Sequence, residues 1–191
     1  MQISPSDPRG VSCDVTFRAQ IAFLDVAYAS DAAGVACLLT ESWTTATAAI
    51  ELSKRVMCAP TAYVPGGFYR RELPLLRAMI DDLTPLPSLL VIDGYVWLGA
   101  SDMPGLGGHL FEALHAATPI VGVAKTRYRN DTWSKPVYRG KSLKPLYVTA
   151  AGVETAKAAA LVSSMHGKHR IPTLLQRVDR LARLAVAQGH R

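Results

Sequence analysis

The sequence predicts an α/β fold: a single domain in which a mixed sheet is flanked by helices. Three observations carry this. The chain has 191 residues, enough for one core of ordinary size. At 49% hydrophobic and 19% charged residues it has the composition of a folded globule. Its periodicity also changes along its length, with two apolar runs joined by a short turn coming first, and strands alternating with helices afterwards.

The elements follow in order. "QIAFLDVAYA" (20–29) and "GVACLLTE" (34–41) read as a hairpin turning near Ser30 and Asp31. The Thr-rich "WTTATAAIEL" (43–52) reads as a third strand. A helix is expected from Phe68, because Leu73, Leu76, Met79 or Ile80, and Leu83 recur at helical spacing. Pro85 and Pro87 end it. "SLLVIDG" then supplies a short buried strand closing on Asp93, followed by a Gly-rich loop and a helix over about 105–117. "PIVGVAK" (119–125) is a buried strand, and 126–144 reads as a long loop or hairpin. "PLYVTAA" is a further strand, and helices over about 153–164 and 172–188 close a core running from about residue 20 to 188.

The net charge of +6 conceals an asymmetry. Residues 1–124 hold 7 basic and 12 acidic side chains, whereas 125–191 hold 14 and 3, balances of −5 and +11. Base gathered late in the chain suits a polyanionic partner, although a solvated basic face has the same composition. Cys13, Cys37 and Cys58 are odd in number and widely spaced, which fits a reducing compartment and gives no zinc pattern. With apolar runs about half the length of a membrane span and no secretory leader pattern, the expected location is cytoplasmic, away from membranes.

Three carboxylates occupy unusual positions. Asp25 lies inside an apolar strand, Glu72 opens an amphipathic helix, and Asp93 ends a strand. In open α/β sheets working residues gather at the carboxyl ends of strands, where Asp93 and Lys125 both fall. Carboxylates converging on one point need a cation or raised pKa values. Oxygen ligands alone favour Mg²⁺ or Mn²⁺, the ions of phosphodiester hydrolysis. A structural reading stands beside each: Asp25 as a satisfied strand-end carboxylate, Glu72 as a helix-dipole partner, Asp93–Gly94 as a turn.

Taken together, these segments resemble the endonuclease V family, inosine-directed endonucleases with a ribonuclease-H-like fold. "LDVAY" is similar to the family's first metal-ligand strand, D-V-[SA]-[FY]. "YVPGGFYRRE" is similar to Y-[IV]-P-G-F-x-x-x-R-E, with Tyr63-to-Glu72 spacing preserved. "LLVIDG", "GLGGHL", "PIVGVAK" and "KPLYVTAAG" follow in the family's order, and "HRIPTLLQRVDRLA" resembles its closing Y-R-L-P-E-P-x-R-L-A-D helix. The resemblance implies that Asp25, Glu72 and Asp93 form a magnesium site with manganese as an alternative. It implies that Lys125 meets the scissile phosphate, and that Tyr63, Val64, Pro65 and Gly66 correspond to a wedge separating bases. It implies hydrolysis of inosine-containing or distorted DNA or RNA, leaving 3′-hydroxyl and 5′-phosphate ends.

The resemblance departs in two places. Tyr95 stands where the family's D-G-H-G stretch has histidine, and "YVTAAGVETA" lacks the histidine of the family's S-x-G-H segment. His169 falls on a tyrosine of the closing motif and is not assigned a catalytic role. His109 keeps its place in "GLGGHL", either near the site or bonding its own loop, while His115 and His166 read as surface residues. For nucleic-acid contact the expected residues are Tyr63, Val64, Pro65, Gly66, Tyr95, His109, Lys125, Arg127, Arg170 and Arg177. Arg180 and Arg183 share the helix stripe of Arg177, and Arg129, Lys135, Arg139, Lys141, Lys144 and Lys168 widen the basic surface. Tyr128, Trp133 and Tyr138 interleave with these charges and would either stack on bases or pack beneath the loop. A nucleic-acid-binding protein without catalysis, and a nuclease with a substrate other than inosine, are the rival readings.

Overall fold

Gly34 shows how tightly the layers meet. A Cβ at this position would collide with the Ala182 carbonyl and lie 2.7 Å from the Val186 nitrogen. The last helix therefore crosses the sheet nearly in backbone contact. The fold is taken from a computed structural model that describes residues 20–29, 31–57, 68–99 and 103–187.

The chain builds β1 (Ile21–Tyr28), β2 (Ala32–Thr40), β3 (Ile50–Met57), α1 (Phe68–Asp81), β4 (Leu89–Asp93), β5 (Trp97–Leu98) and β6 (Met103–Pro104). It continues with α2 (Leu106–Ala113), β7 (Ile120–Ala124), β8 (Lys135–Val137), β9 (Leu146–Ala151), α3 (Thr155–Ser164) and α4 (Thr173–Ala187). Seven strands form one sheet in the order β3-β2-β1-β4-β7-β9-β8, and β5 and β6 pair separately. The β1–β4 and β4–β7 pairs are parallel, while β1–β2, β2–β3, β7–β9 and β8–β9 are antiparallel. The mixed sheet with helices on both faces is the predicted architecture.

Alternation along the strands divides the core into two layers. Phe23, Val91, Val121 and Val148 face α3 and α4, meeting Val162, Leu174, Val178 and Ala182. Leu24, Ile92, Ile120 and Leu90 face α1 and α2, meeting Leu76, Met79, Ile80 and Leu110. The α1 residues are those whose spacing predicted the helix. Gly94 adopts φ +131°, and its carbonyl lies where a Cβ on Gly122 would approach to 2.5 Å. The turn after Asp93 thus folds back over the next strand only because position 122 has no side chain.

Two expectations are corrected. The third strand is not 43–52 but Ile50–Met57; residues 43–48 are turns held by hydroxyl-to-backbone bonds such as Thr47 N–H to Thr45 Oγ1 at 3.3 Å. The Gly-rich loop after Asp93 contains the small β5–β6 pair, and the 126–144 segment contributes β8 to the sheet edge.

Candidate active site

The parallel register of β1 and β4 ends at Leu24 opposite Ile92. The next residue on each strand is an aspartate, so Asp25 and Asp93 are neighbours at the sheet's carboxyl end. Leu24 and Ile92 belong to the α1–α2 layer, and alternation turns the two aspartates towards α4. Asp93 is in register with Val123 of β7, two residues before Lys125 and on the same face. Lys125 Nζ reaches Asp93 Oδ2 at 2.5 Å. Asp25 Oδ1 accepts the Val26 N–H at 2.8 Å. These three side chains line a shallow cleft with Leu175 and Val178 of α4.

The electrostatics are those of crowded carboxylates in a partly dry place. Burial, and then the charge of Asp93, push the Asp25 carboxyl up to about 7. Glu72 is 6% exposed; burial, followed by the charges of Asp25 and Asp93, raises it to about 8. For Lys125, burial acts to lower the pKa, and the bond and charge of Asp93 outweigh it, so the ammonium is held above its usual range. Glu72 sits on α1, in the other helical layer, within electrostatic reach of both aspartates. Among the described residues, no three His, Cys, Asp or Glu side chains are gathered closely enough to enclose an ion.

A fourth carboxylate was missed from sequence. Asp179 of α4 lies against Asp25 and adds to its raised pKa. It accepts from Arg183 Nε at 2.9 Å and Nη2 at 3.0 Å, and this fork, aided by a hydrogen bond from Asp25, holds Asp179 below the usual carboxylate range. The signal was present: the closing motif of the resembled family ends on an aspartate that falls on Asp179.

The remaining candidates disperse. Tyr63, Val64, Pro65 and Gly66 lie outside the described residues. Tyr95 is 8% exposed, and its hydroxyl donates to the Thr126 carbonyl at 3.1 Å and accepts the Tyr128 N–H at 3.0 Å. That places it under the 126–134 loop, where it braces the backbone. His109 stacks on Tyr69 with ring centres 3.7 Å apart and sits 3.7 Å from Glu112. Arg170 donates to the carbonyls of Lys125 and Pro145, buttressing the strand end behind the lysine. Arg177 forks onto Glu51 of β3 at 2.9 and 2.6 Å, and buried Arg139 bonds the carbonyls of Met165 and Gly167. Arg127 is exposed and donates to the Asp131 carbonyl at 3.2 Å. His169 lines a separate groove with His166 and Lys168, away from the carboxylates.

Known proteins are similar to this chain in sequence and in fold. Endonuclease V of Streptomyces avermitilis is 29% identical over 147 residues, 66% of this chain and 63% of that one. Endonuclease V of Rhodospirillum centenum is 30% identical over 142 residues, 74% of this chain and 50% of that one. In both cases the matched part spans less than two thirds of the relative's length. The crystal structure of the S. avermitilis enzyme superposes with a TM-score of 0.75 at 25% identity, covering 91% of this chain and 83% of that one. Endonuclease V of Ciona intestinalis, solved with a 23mer DNA containing an inosine followed by a ribo-adenosine, gives 0.74 at 17% identity, covering 91% and 88%, and shares the fold. Among the described residues no helix is long and apolar enough to cross a membrane. The family model for endonuclease V matches residues 11–150, most of the chain, and this chain belongs to the endonuclease V family.

Proposed function

We propose that the chain is a metal-dependent endonuclease that hydrolyses phosphodiester bonds in inosine-containing or distorted DNA or RNA, leaving 3′-hydroxyl and 5′-phosphate ends. The observation that carries this is the side-by-side placement of Asp25, Asp93 and Lys125 on three adjacent strands, where the parallel pairing of β1 with β4 and of β4 with β7 runs out. The inosine substrate is suggested by the DNA bound to the Ciona relative.

The donor set suits a hard divalent cation. Asp25 is raised by burial and by the charge of Asp93, and Glu72 by burial and by the charges of Asp25 and Asp93, a penalty that a bound cation relieves. Asp25, Glu72 and Asp93, whose oxygens are not gathered closely enough here to enclose an ion, are the donors that would hold Mg²⁺ or Mn²⁺, with Asp179 beside Asp25. Such an ion supplies polarisation of the phosphoryl oxygen and acidification of water. The chain's own residues do the rest. Lys125 is positioned to move its hydrogen bond from Asp93 to a phosphate oxygen and to offset the charge that develops there. Arg170 holds the Lys125 backbone carbonyl, which fixes the origin of the lysine side chain. Arg183 keeps Asp179 ionised beside Asp25.

Cleavage of an inosine-containing strand with Mg²⁺ tests the reading. Asp93→Asn removes the charge without changing shape and is expected to lower cleavage by at least about a thousandfold while folding persists. Cleavage that survives overturns the assignment. A binding protein without catalysis is favoured by one observation, that Lys125 already neutralises Asp93. Salt-sensitive strand binding with no response to Mg²⁺ or Mn²⁺ would select it.

A further inference from the structure

The segment after β7 combines exposed aromatic rings with an unusually well-tied backbone. Residues 125–144 contain seven basic side chains and one acidic one, Asp131. Asp131 is 5% exposed and is spent on its own loop: Oδ1 accepts the N–H groups of Trp133 and Ser134, each at 3.0 Å, and Oδ2 accepts the Ser134 hydroxyl. Tyr95 ties the loop at Thr126 and Tyr128, and the Thr132 hydroxyl bonds the Gly99 carbonyl at 3.3 Å. The loop is therefore fastened to the chain that follows Asp93. Yet Tyr128, Trp133 and Tyr138 remain 38%, 40% and 62% exposed. Arg129, Lys135, Lys141 and Lys144 lie within a few residues of them in the chain, and no carboxylate among the described residues pairs with any of the four.

Holding a tryptophan open to water beside unpaired cations has no packing benefit, but it suits one kind of partner. Phosphates alone would be served by the cations. Aromatic faces add affinity only for bases that are out of a duplex stack, since paired bases present edges and not faces. We propose that residues 126–138, latched by Tyr95 and Asp131, form a stacking platform for the unpaired bases of a single-stranded nucleic acid leading away from the phosphate at Lys125. The proposal deepens the nuclease reading, on which it rests for the placement of that phosphate.

The test is binding in the presence of a chelator, where no cleavage occurs, so its outcome is separate from that of the Asp93 experiment. The probes are an oligothymidylate about twenty nucleotides long and an abasic phosphodiester strand of equal length, at equal salt. The wild-type chain is expected to bind the oligothymidylate roughly tenfold more tightly than the abasic strand, given the usual value of one or two stacked bases. In Tyr128→Leu/Trp133→Leu, which keeps apolar bulk and removes the aromatic faces, the preference should fall to within about twofold. Should that pair fail to fold, Trp133→Leu and Tyr138→Leu singly are each expected to reduce the preference by about threefold. Equal binding of the two probes by the wild type, or a preference untouched in the variants, overturns the platform.

Discussion

The strand-end carboxylates and the loop after β7 are neighbours in space but are held by different forces. Asp25, Asp93 and Lys125 take their positions from a ladder of backbone hydrogen bonds over a dry core, where Phe23, Leu90, Val91, Ile92 and Val121 are at most 1% exposed. The 126–134 loop takes its shape from a few side-chain bonds made by Tyr95, Asp131 and Thr132. A ladder over a core sets register for every residue along it, so the site tolerates changed neighbours. A loop fastened at a few points depends on each of them. That difference lets Tyr95, two residues after Asp93, serve the loop while the carboxylates take their places from the ladder.

The largest expected effect concerns the charge crowded onto the rigid region. Asp25 and Glu72 hold protons in the folded chain up to about pH 7 and 8, whereas the unfolded chain releases them near pH 4. Unfolding therefore releases protons between those limits. The stabilisation is present in full below about pH 4 and is lost as pH rises through 7 to 8. Thermal melts with a chelator should fall steadily over this window, and added Mg²⁺ or Mn²⁺ should flatten the decline by binding the ionised forms. A flat profile with the chelator would show that the two carboxylates are not forced together. In Asp25→Asn the chelated profile should lose part of its slope.

A smaller effect is expected from the ladder itself. At Gly122 a Cβ would meet the Gly94 carbonyl at 2.5 Å and Thr149 Oγ1 at 3.0 Å. Gly122→Ala should cost about 1–3 kcal/mol, as overpacking does, and should displace the Asp93–Gly94 turn. Cleavage should fall more than stability predicts, because a shifted Asp93 loses its alignment with Asp25. Unchanged cleavage in a destabilised variant would argue that the turn does not position the aspartate.

What was legible in the sequence follows the same division. Short apolar runs such as "LLVID" and "PIVGVA" are buried on both faces, and their boundaries were readable from composition alone. β3 is an edge strand with Lys54 and Arg55 in it and no fully buried residue, so hydrophobic patterning could not find it, and the Thr-rich turn before it imitated β propensity. β8 buries only Val137. Asp179 was obscure for another reason: on an amphipathic helix flanked by arginines it reads as a solvated acid, and only the packing of α4 over Gly34 brings it to Asp25. Tyr95 reads from sequence only as a departure from the resembled motif, because sequence does not show the loop it ties.

The smallest effect is the most discriminating for that loop. Tyr95→Phe keeps the ring, which sits 6.0 Å from that of Tyr128, and removes only the hydroxyl that bonds Thr126 and Tyr128. The loss of two neutral hydrogen bonds is worth about 1–3 kcal/mol locally. Because the strand ladder does not depend on them, global stability should drop by less than this, and Mg²⁺-dependent cleavage of a short strand should hold within about threefold. Amide exchange at residues 126–134 should accelerate roughly tenfold or more while exchange in β4 and β7 stays unchanged. Exchange that rises equally in the loop and in both strands would mean that the two regions are one cooperative unit, and that the tyrosine supports the site itself.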